Sequence, residues 1–278
     1  MGTFTSHIQR EVAKAQGIEA VSIGENGYYQ TPSGRLIDLR QEIAHAVRNT
    51  ISYPPDLSLM DSFVGENATN AEITNETTLS AATRLIQQGL KTVVLNFASA
   101  TSPGGGFLNG ARAQEEYLAR SSCLYQCIRH NPMYEYHRTQ NDPMYSNYMI
   151  YSPDVPVIRG DDGVLLEEPY AVSIITAAAV YANGVSPEQR KYISPVMWRR
   201  ILRVLAIGVT HHHDGIVLGA WGCGAFGNDG TEIASLFCKA LRDNFRGAYR
   251  RVVFAIVDWS PEKRFIRPFK DAFEAEIQ

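Results

Sequence analysis

The chain reads as an α/β protein, a sheet between helices, with a helical extension at its N-terminus. Three observations predict this class. Short β-branched apolar runs at residues 91–97, 216–221 and 251–257 alternate with longer stretches of helical periodicity. Two of the runs open into glycine-rich loops, Gly104-Gly105-Gly106 and Gly222-Cys-Gly-Ala-Phe-Gly227, that lead to helix starts. Finally, 278 residues with 45% hydrophobic and 20% charged content suffice to bury a sizeable core.

Taken in order, residues 7–16 carry helical spacing, and Gly24, Gly27 and Gly34 read as a glycine-rich connection. Residues 35–50 again place apolar positions on one helical face until Pro54-Pro55 stops the pattern. A single domain over residues 1–278 is therefore expected, with residues 1–60 as its wrapping N-terminal helical extension. A strand over 71–77, a helix over 78–90 and a strand over 91–97 make one βαβ unit, whose crossover should be right-handed. A helix is predicted over 114–130.

The segment 131–152 holds Tyr134, Tyr136, Tyr145, Tyr148 and Tyr151, expected to cover a core edge with their hydroxyls wet rather than to stack on bases. Strands over 155–159 and 170–180 flank the turn Gly160-Asp-Asp-Gly163. The amphipathic helix at 194–209 ends in His211-His212-His213-Asp214, which reads as a polar helix end because consecutive residues rarely converge on one ion. A helix opened by Asn228-Asp229-Gly230-Thr231 and running through Asp243, the strand at 251–257 and a helix to Ala275 complete the chain.

Composition narrows the function. A net charge of −3 and a pI near 6.2 give no global nucleic-acid footprint, so a polyanionic ligand would have to be gripped locally. Residues 1–7 lack the charged and apolar regions of a signal peptide. Met1-Gly2 with Ser6 matches a myristoylation pattern and reads as chance. No apolar run reaches membrane-span length, so the expected setting is cytoplasmic and away from membranes. Cys123 and Cys127 share a helix face at i, i+4 but adjoin no second pair. The four cysteines, with Cys223 and Cys238, read as reduced buried thiols and not as a metal site.

The chemistry concentrates in residues 103–122. Three consecutive glycines reach left-handed backbone conformations and let a ligand approach the main chain, and a following helix N-terminus suits phosphate or sugar. Glu115 and Glu116 stand in the first turn of that helix. Acidic side chains there also complement the helix dipole, for a few tenths of a kcal/mol. Adjacent helical positions diverge by roughly 100°, so the two cannot flank one bond from opposite sides, as paired glycosidase carboxylates do. One can serve as acid and base while its neighbour holds a hydroxyl.

The string Pro-Gly-Gly-Gly-Phe-Leu-Asn-Gly-Ala-Arg-Ala-Gln-Glu-Glu, from Pro103 to Glu116, resembles the signature of poly(ADP-ribose) glycohydrolases of the compact bacterial type. The resemblance implies a macrodomain-like three-layer α/β/α fold with a mixed sheet. On such sheets ligands bind beyond the carboxyl ends of the strands, which gathers Asn75, Asn96, Ser99 and the first glycine loop on the ADP-ribose side.

Gly222, Gly224 and Gly227 also satisfy the spacing G-x-G-x-x-G. The acidic residue that a dinucleotide-binding fold wants about 20 positions on would be Asp243, which lies inside a helical pattern, and the strand that follows ends only at Asp258. An oxidoreductase also leaves the first loop unexplained. By resemblance this second loop is similar to the macrodomain diphosphate loop, with Phe226 beside the distal ribose and Asp258-Trp259 near the adenosine.

The resemblance thus implies hydrolysis of the ribose–ribose O-glycosidic bonds of poly(ADP-ribose), from chain ends, through an oxocarbenium-like transition state. Glu116 would be the general acid and base and Glu115 would hold ribose hydroxyls. Gly104, Gly105, Gly106, Gln114, Asn96, Ser99, Gly222, Gly224, Ala225, Phe226, Gly227, Asn228 and Asp258 would bind substrate. No cofactor or metal is implied. The partners are poly(ADP-ribose), ADP-ribosylated proteins and the product ADP-ribose, met by a monomer. A helix N-terminus favours ionised carboxylate whereas an acid needs its proton, so protonation is expected to be coupled to entry of the substrate diphosphate. Its signature would be an acid limb that differs between kcat and kcat/KM. A non-catalytic ADP-ribose reader would need the loops but no acidic pair, and a mono-ADP-ribosyl-protein hydrolase would cut a different bond.

Overall fold

The computed structural model describes residues 8–274. Met1, Gly2, Ser6, His7 and Ala275, on which some of the expectations above fall, lie outside them. The chain runs α1 (Arg10–Asn26), β1 (Tyr28–Gln30), β2 (Leu36–Asp38), α2 (Arg40–Arg48), β3 (Ile51–Tyr53), β4 (Asn70–Thr74), α3 (Thr78–Gln87) and β5 (Thr92–Phe97). It continues through α4 (Gln114–Ser121), α5 (Leu124–Ile128), α6 (Pro132–Gln140), β6 (Met149–Arg159), β7 (Leu165–Ala177), α7 (Ile193–Thr210), β8 (Gly215–Leu218), α8 (Gly230–Lys239), β9 (Arg251–Ala255) and α9 (Arg267–Glu274).

Seven strands form one mixed sheet in the order β3-β6-β7-β5-β8-β9-β4. From β7 to β4 every pairing is parallel, while β6 runs antiparallel to both β7 and β3. A parallel sheet is covered on both faces, and the alternation along each strand shows it. Val93, Leu95, Ile216, Val252 and Phe254 point into a core shared with α7, α8 and α9. Val94, Val217 and Val253 point into the opposite core, shared with α3, α5 and α6. The carboxyl ends of β5, β8 and β9 feed the loops at 98–113, 219–229 and 256–266, which build the cleft.

The structure corrects several boundaries. The first helix runs on to Asn26 and carries Gly24 inside it. A Cβ at Gly24 would stand 2.5 Å from the Gln126 side chain, so this glycine serves close packing on α5 and not a connection. Residues 36–38 and 51–53 are strands, and β3 pairs with β6, so the N-terminal 60 residues supply one edge of the main sheet. The strand at 71–77 is β4, ending at Thr74. It is separated from β5 by β8 and β9, so the predicted βαβ unit joins strands that do not touch. The helix over 114–130 breaks at Ser122 and Cys123, where the Cys123 N–H donates to Pro156 O and Ser122 bridges to Val157. Residues 132–140 are helical and 149–152 begin β6; Tyr134, Tyr148 and Tyr151 are buried there. After α8 the backbone continues as one π-helical turn, Ala240–Asn244.

His211 stacks on Tyr151 with ring centroids 3.6 Å apart and shares a 2.8 Å hydrogen bond with the Tyr53 hydroxyl. His213 shares one of 2.8 Å with the Tyr151 hydroxyl. Among the described residues no group of three or more His, Cys, Asp or Glu side chains is arranged to hold a metal ion. No described helix is long and apolar enough to cross a membrane.

Candidate active site

Helix α4 is tied to the sheet by its first residue. Gln114 accepts from the Phe97 N–H (2.9 Å) and donates to Leu95 O (2.8 Å) and to the Thr78 hydroxyl (3.1 Å). The amide thus completes the ladder at the end of β5. That occupies the polar atoms of Gln114 in docking α4, and its side chain lines the cleft.

From this anchor the two carboxylates meet the glycine loop. Glu115 is 4% exposed; its Oε2 accepts from the Ser99 N–H at 2.6 Å, and its Oε1 is buried without a partner. Glu116 accepts from the Gly106 N–H through Oε1 at 2.9 Å, and its Oε2 is buried and unpartnered. Burial pushes the Glu115 pKa well above the ordinary 4.5, and the nearby Glu116 charge adds to the rise against the opposing Ser99 hydrogen bond.

The reason for glycine at position 105 is visible here. Its φ is +61°, and a Cβ would fall 2.3 Å from Glu116 Oε1 and 2.9 Å from Glu115 Oε2. Gly104, at φ +71°, would bring a Cβ within 2.9 Å of the Phe107 ring. Within the triple glycine, read from sequence as a loop for phosphate or sugar, Gly105 forms a socket for the two carboxylates. The Gly106 N–H is given to Glu116 and not held open for a ligand.

A cleft of about 620 Å³ opens in front of the pair. Ser99, Glu115, Glu116, Gly222, Gly224, Ala225 and Phe226 line it, joined by Tyr117, Arg120, Trp259 and Phe265. A larger cavity of about 810 Å³ lies between α8 and α9, but neither Glu115 nor Glu116 lines it, so volume alone does not locate the chemistry. The N–H groups of Gly224, Ala225 and Phe226 donate to no acceptor among the described residues and remain available for an anion. The N-terminus of α8 is capped, with Asp229 accepting from the Glu232 N–H at 2.9 Å, so the open donors belong to the loop and not to the helix. Phe226 is held edge-on by Tyr181, with centroids 5.6 Å apart, and leans on Tyr145.

Four residues predicted to touch substrate stand behind the cleft. Asn96 is fully buried and donates to the Thr176 hydroxyl (3.3 Å) beneath Glu115. Asn228 donates to Val180 O (2.8 Å) and Gly222 O (3.1 Å), bracing the second loop, and Gly227 packs against Asn183. Asp258 is 2% exposed, and its carboxylate accepts from Ser260 N and Oγ and from the N–H groups of Phe265 and Ile266. Asp258 folds the loop that carries Trp259 and Phe265 into the wall. A buried carboxylate with four donors is already satisfied, which is why it frames the cleft from behind. Asn75 brackets the same loop, donating to Asp258 O and accepting from the Asp258 N–H.

Sequence reasoning missed Thr77, Tyr117, Arg120 and Asp161. The Tyr117 hydroxyl donates to Asp161 and the Thr77 hydroxyl bonds the same carboxylate at 2.8 Å, tying α4, α3 and the β6–β7 turn together beside the cleft. Only the spacing Glu116, Arg120 on one helical face could have signalled part of this.

Comparison with known proteins follows the same lines. Residues 18–160 match the microbial-type PARG catalytic domain. The chain is similar to poly(ADP-ribose) glycohydrolase from Thermomonospora curvata at 43% identity, over 95% of this chain and 100% of that one, with a TM-score of 0.90. It is similar to the T. curvata glycohydrolase bound to the inhibitor ADP-HPD, at 42% identity over 94% and 99% of the two chains and a TM-score of 0.87. With the Deinococcus radiodurans glycohydrolase in complex with ADP-ribose it shares 36% identity over 86% and 99%, at a TM-score of 0.79. No curated protein gives a significant match.

Proposed function

As the chain belongs to the microbial-type poly(ADP-ribose) glycohydrolase family and is a hydrolase of that polymer's glycosidic bonds, we propose that Glu116 is its general acid and base and that cutting proceeds from chain ends. The observation that carries the assignment is the socket: both carboxylates rest on Gly105 at the floor of the cleft. Glu116 is the more open of the two and keeps one oxygen unpartnered beside the cleft.

In this reading Glu116 delivers a proton to the 2′-oxygen that leaves as the ribose–ribose bond breaks. The resulting carboxylate then draws a proton from the water that attacks the ribosyl oxocarbenium ion. Glu115, whose burial favours the protonated form, holds a ribose hydroxyl beside its neighbour. The free N–H groups at 224–226 take the diphosphate, and Phe226 orients the distal ribose between the loop and the acids. The partners are poly(ADP-ribose) attached to modified proteins, with ADP-ribose as the product.

The test is incubation of automodified, poly(ADP-ribosyl)ated protein with the wild type, Glu116→Gln and Glu115→Gln, resolving products by chain length. Expected are release of ADP-ribose by the wild type, its loss in Glu116→Gln with ADP-ribose binding retained, and a smaller loss in Glu115→Gln, whose amide preserves a neutral donor. If Glu116→Gln releases ADP-ribose at the wild-type rate, the assignment fails.

A further inference from the structure

Among the described residues four arginines are almost wholly buried, and three donate to main-chain carbonyls, Arg203 with its Nε alone left over. Arg200 donates to the carbonyls of Ala178 and Met144 and to Asn147 Oδ1. Arg203 donates to the carbonyls of Tyr53, Pro54 and Leu57. Arg159 donates to Arg120 O and Gly163 O and pairs with Glu19 at 2.6 Å. The fourth, Arg120, is 7% exposed and lines the cleft, yet its guanidinium donates to no described residue. Its Nη1 is shut off from solvent with no partner at all.

The ordinary account would be an i, i+4 pair with Glu116. No ion pair within 4.0 Å joins them, and Glu116 Oε1 is taken by Gly106. What Arg120 does touch is the Tyr117 ring, 5.5 Å from its Cζ. Burial, the largest influence on it, pulls the guanidinium pKa below the usual arginine value. Glu116 and Tyr117 pull the other way, but an ionised group taken out of water with no hydrogen-bonded counter-ion is costly. A fold keeps such a group at a cleft where a ligand brings the counter-charge.

We infer that Arg120 is an anion-binding residue of the cleft and takes a phosphate of the bound polymer through its guanidinium. Fork-shaped donors on a desolvated cation suit phosphate oxygens, and the polymer supplies a diphosphate in every unit. Arg112, whose Nη1 donates to Ile8 O, lines the same stretch of cleft and adds a second positive charge. The inference rests on the proposed reading of the cleft as a poly(ADP-ribose) site. The phosphate can belong to the unit being released or to the unit joined to it.

The experiment uses the full chain in the Glu116→Gln background, which binds without cutting. Affinities for ADP-ribose and for a purified ADP-ribose dimer are measured by calorimetry, with and without Arg120→Met or Arg120→Lys, at low and high salt. We expect Arg120→Met to weaken binding at least tenfold and to flatten its salt dependence, with Arg120→Lys recovering part of the loss. The ligand-free Arg120→Met protein should melt no lower than its parent, because an unpartnered buried charge has been removed, whereas a structural arginine would leave a less stable protein. Weaker ADP-ribose binding assigns the phosphate to the released unit; a loss confined to the dimer assigns it to the adjoining unit. Unchanged affinity for both ligands in folded Arg120→Met overturns the inference. Should that variant not fold, a crystal structure of the parent with the dimer decides, and a guanidinium beyond 4 Å from every phosphate oxygen overturns it. Failure of the parent to bind ADP-ribose would instead sink the reading of the cleft, before any Arg120 variant is made.

Discussion

Gly105→Ala isolates the socket from everything else the glycine loop does. Two effects add. An alanine at φ +61° carries a backbone penalty of about 1–2 kcal/mol. Its Cβ also lands 2.3 Å from Glu116 Oε1, so that carboxylate must retreat by roughly 1 Å to reach van der Waals contact. The retreat stretches the Gly106 N–H bond to Glu116, of a kind worth about 0.5–1.5 kcal/mol. A misplacement on the order of 1 Å at a reacting group lowers rate by about 100-fold. Gly89→Ala is the control, since its φ is +77° and nothing lies within 4 Å of the added Cβ. Both variants should lose about 2–4 °C of melting temperature per kcal/mol. In an assay of ADP-ribose release from modified protein, only Gly105→Ala should fall by about 100-fold or more in kcat/KM. Gly105→Ala within a few-fold of wild type, or Gly89→Ala equally impaired, would refute the socket.

Three further outcomes follow from the same structure. The folded-state pKa of Glu115 is raised, so its contribution to stability is full below its unfolded value and is lost as pH rises through the folded value. Glu115→Gln should therefore be more stable than wild type at neutral pH in denaturant titrations, with the gap closing towards pH 4. His213 is buried as the neutral imidazole, its pKa pushed down to about 3, so its contribution is present above the ordinary 6.5 and lost as pH falls towards 3. The decline in unfolding free energy over that window should be shallower in His213→Asn than in wild type. Asp258→Ala strands four donors, each costing about 1–3 kcal/mol if left unsatisfied. It should lower the melting temperature and weaken ADP-ribose binding, and unchanged affinity would remove Asp258 from the making of the cleft wall.

Much of the layering was legible. Residues 92–97 carry a strand's own composition, α3 starts where Thr77 accepts from the Ser80 N–H as its cap, and the alternation of Val93, Val94 and Leu95 serves two cores. What escaped depends on partners distant in sequence. Ile51–Tyr53 is too short to announce a strand and becomes one only by pairing with residues 149–151. The break after Ser121 is made by Pro156 and Val157 across the sheet, and the helical pattern of 114–130 contains no trace of them. At the site, the residue types were readable and their directions were not. Gly105, able to face a ligand, faces Glu115 and Glu116, and Asp258 turns back on its own loop. Arg120, four residues after Glu116, looks like an ordinary surface pair until its burial is known.

The anchoring of α4 through Gln114 bears on how such a centre could be moved or remade. Because the side-chain amide stands in for a strand's peptide group between Leu95 and Phe97, the acids take their coordinates from the hydrogen-bond ladder, with no flexible linker between. A designer copying only the two glutamates onto another parallel sheet would import charge without register. The smallest portable cassette runs from the last residues of the strand through the glycines to the second acid. Within it, replacing the amide by a carboxylate would be the quietest way to set the whole reaction centre adrift, since the Leu95 carbonyl would lose its donor.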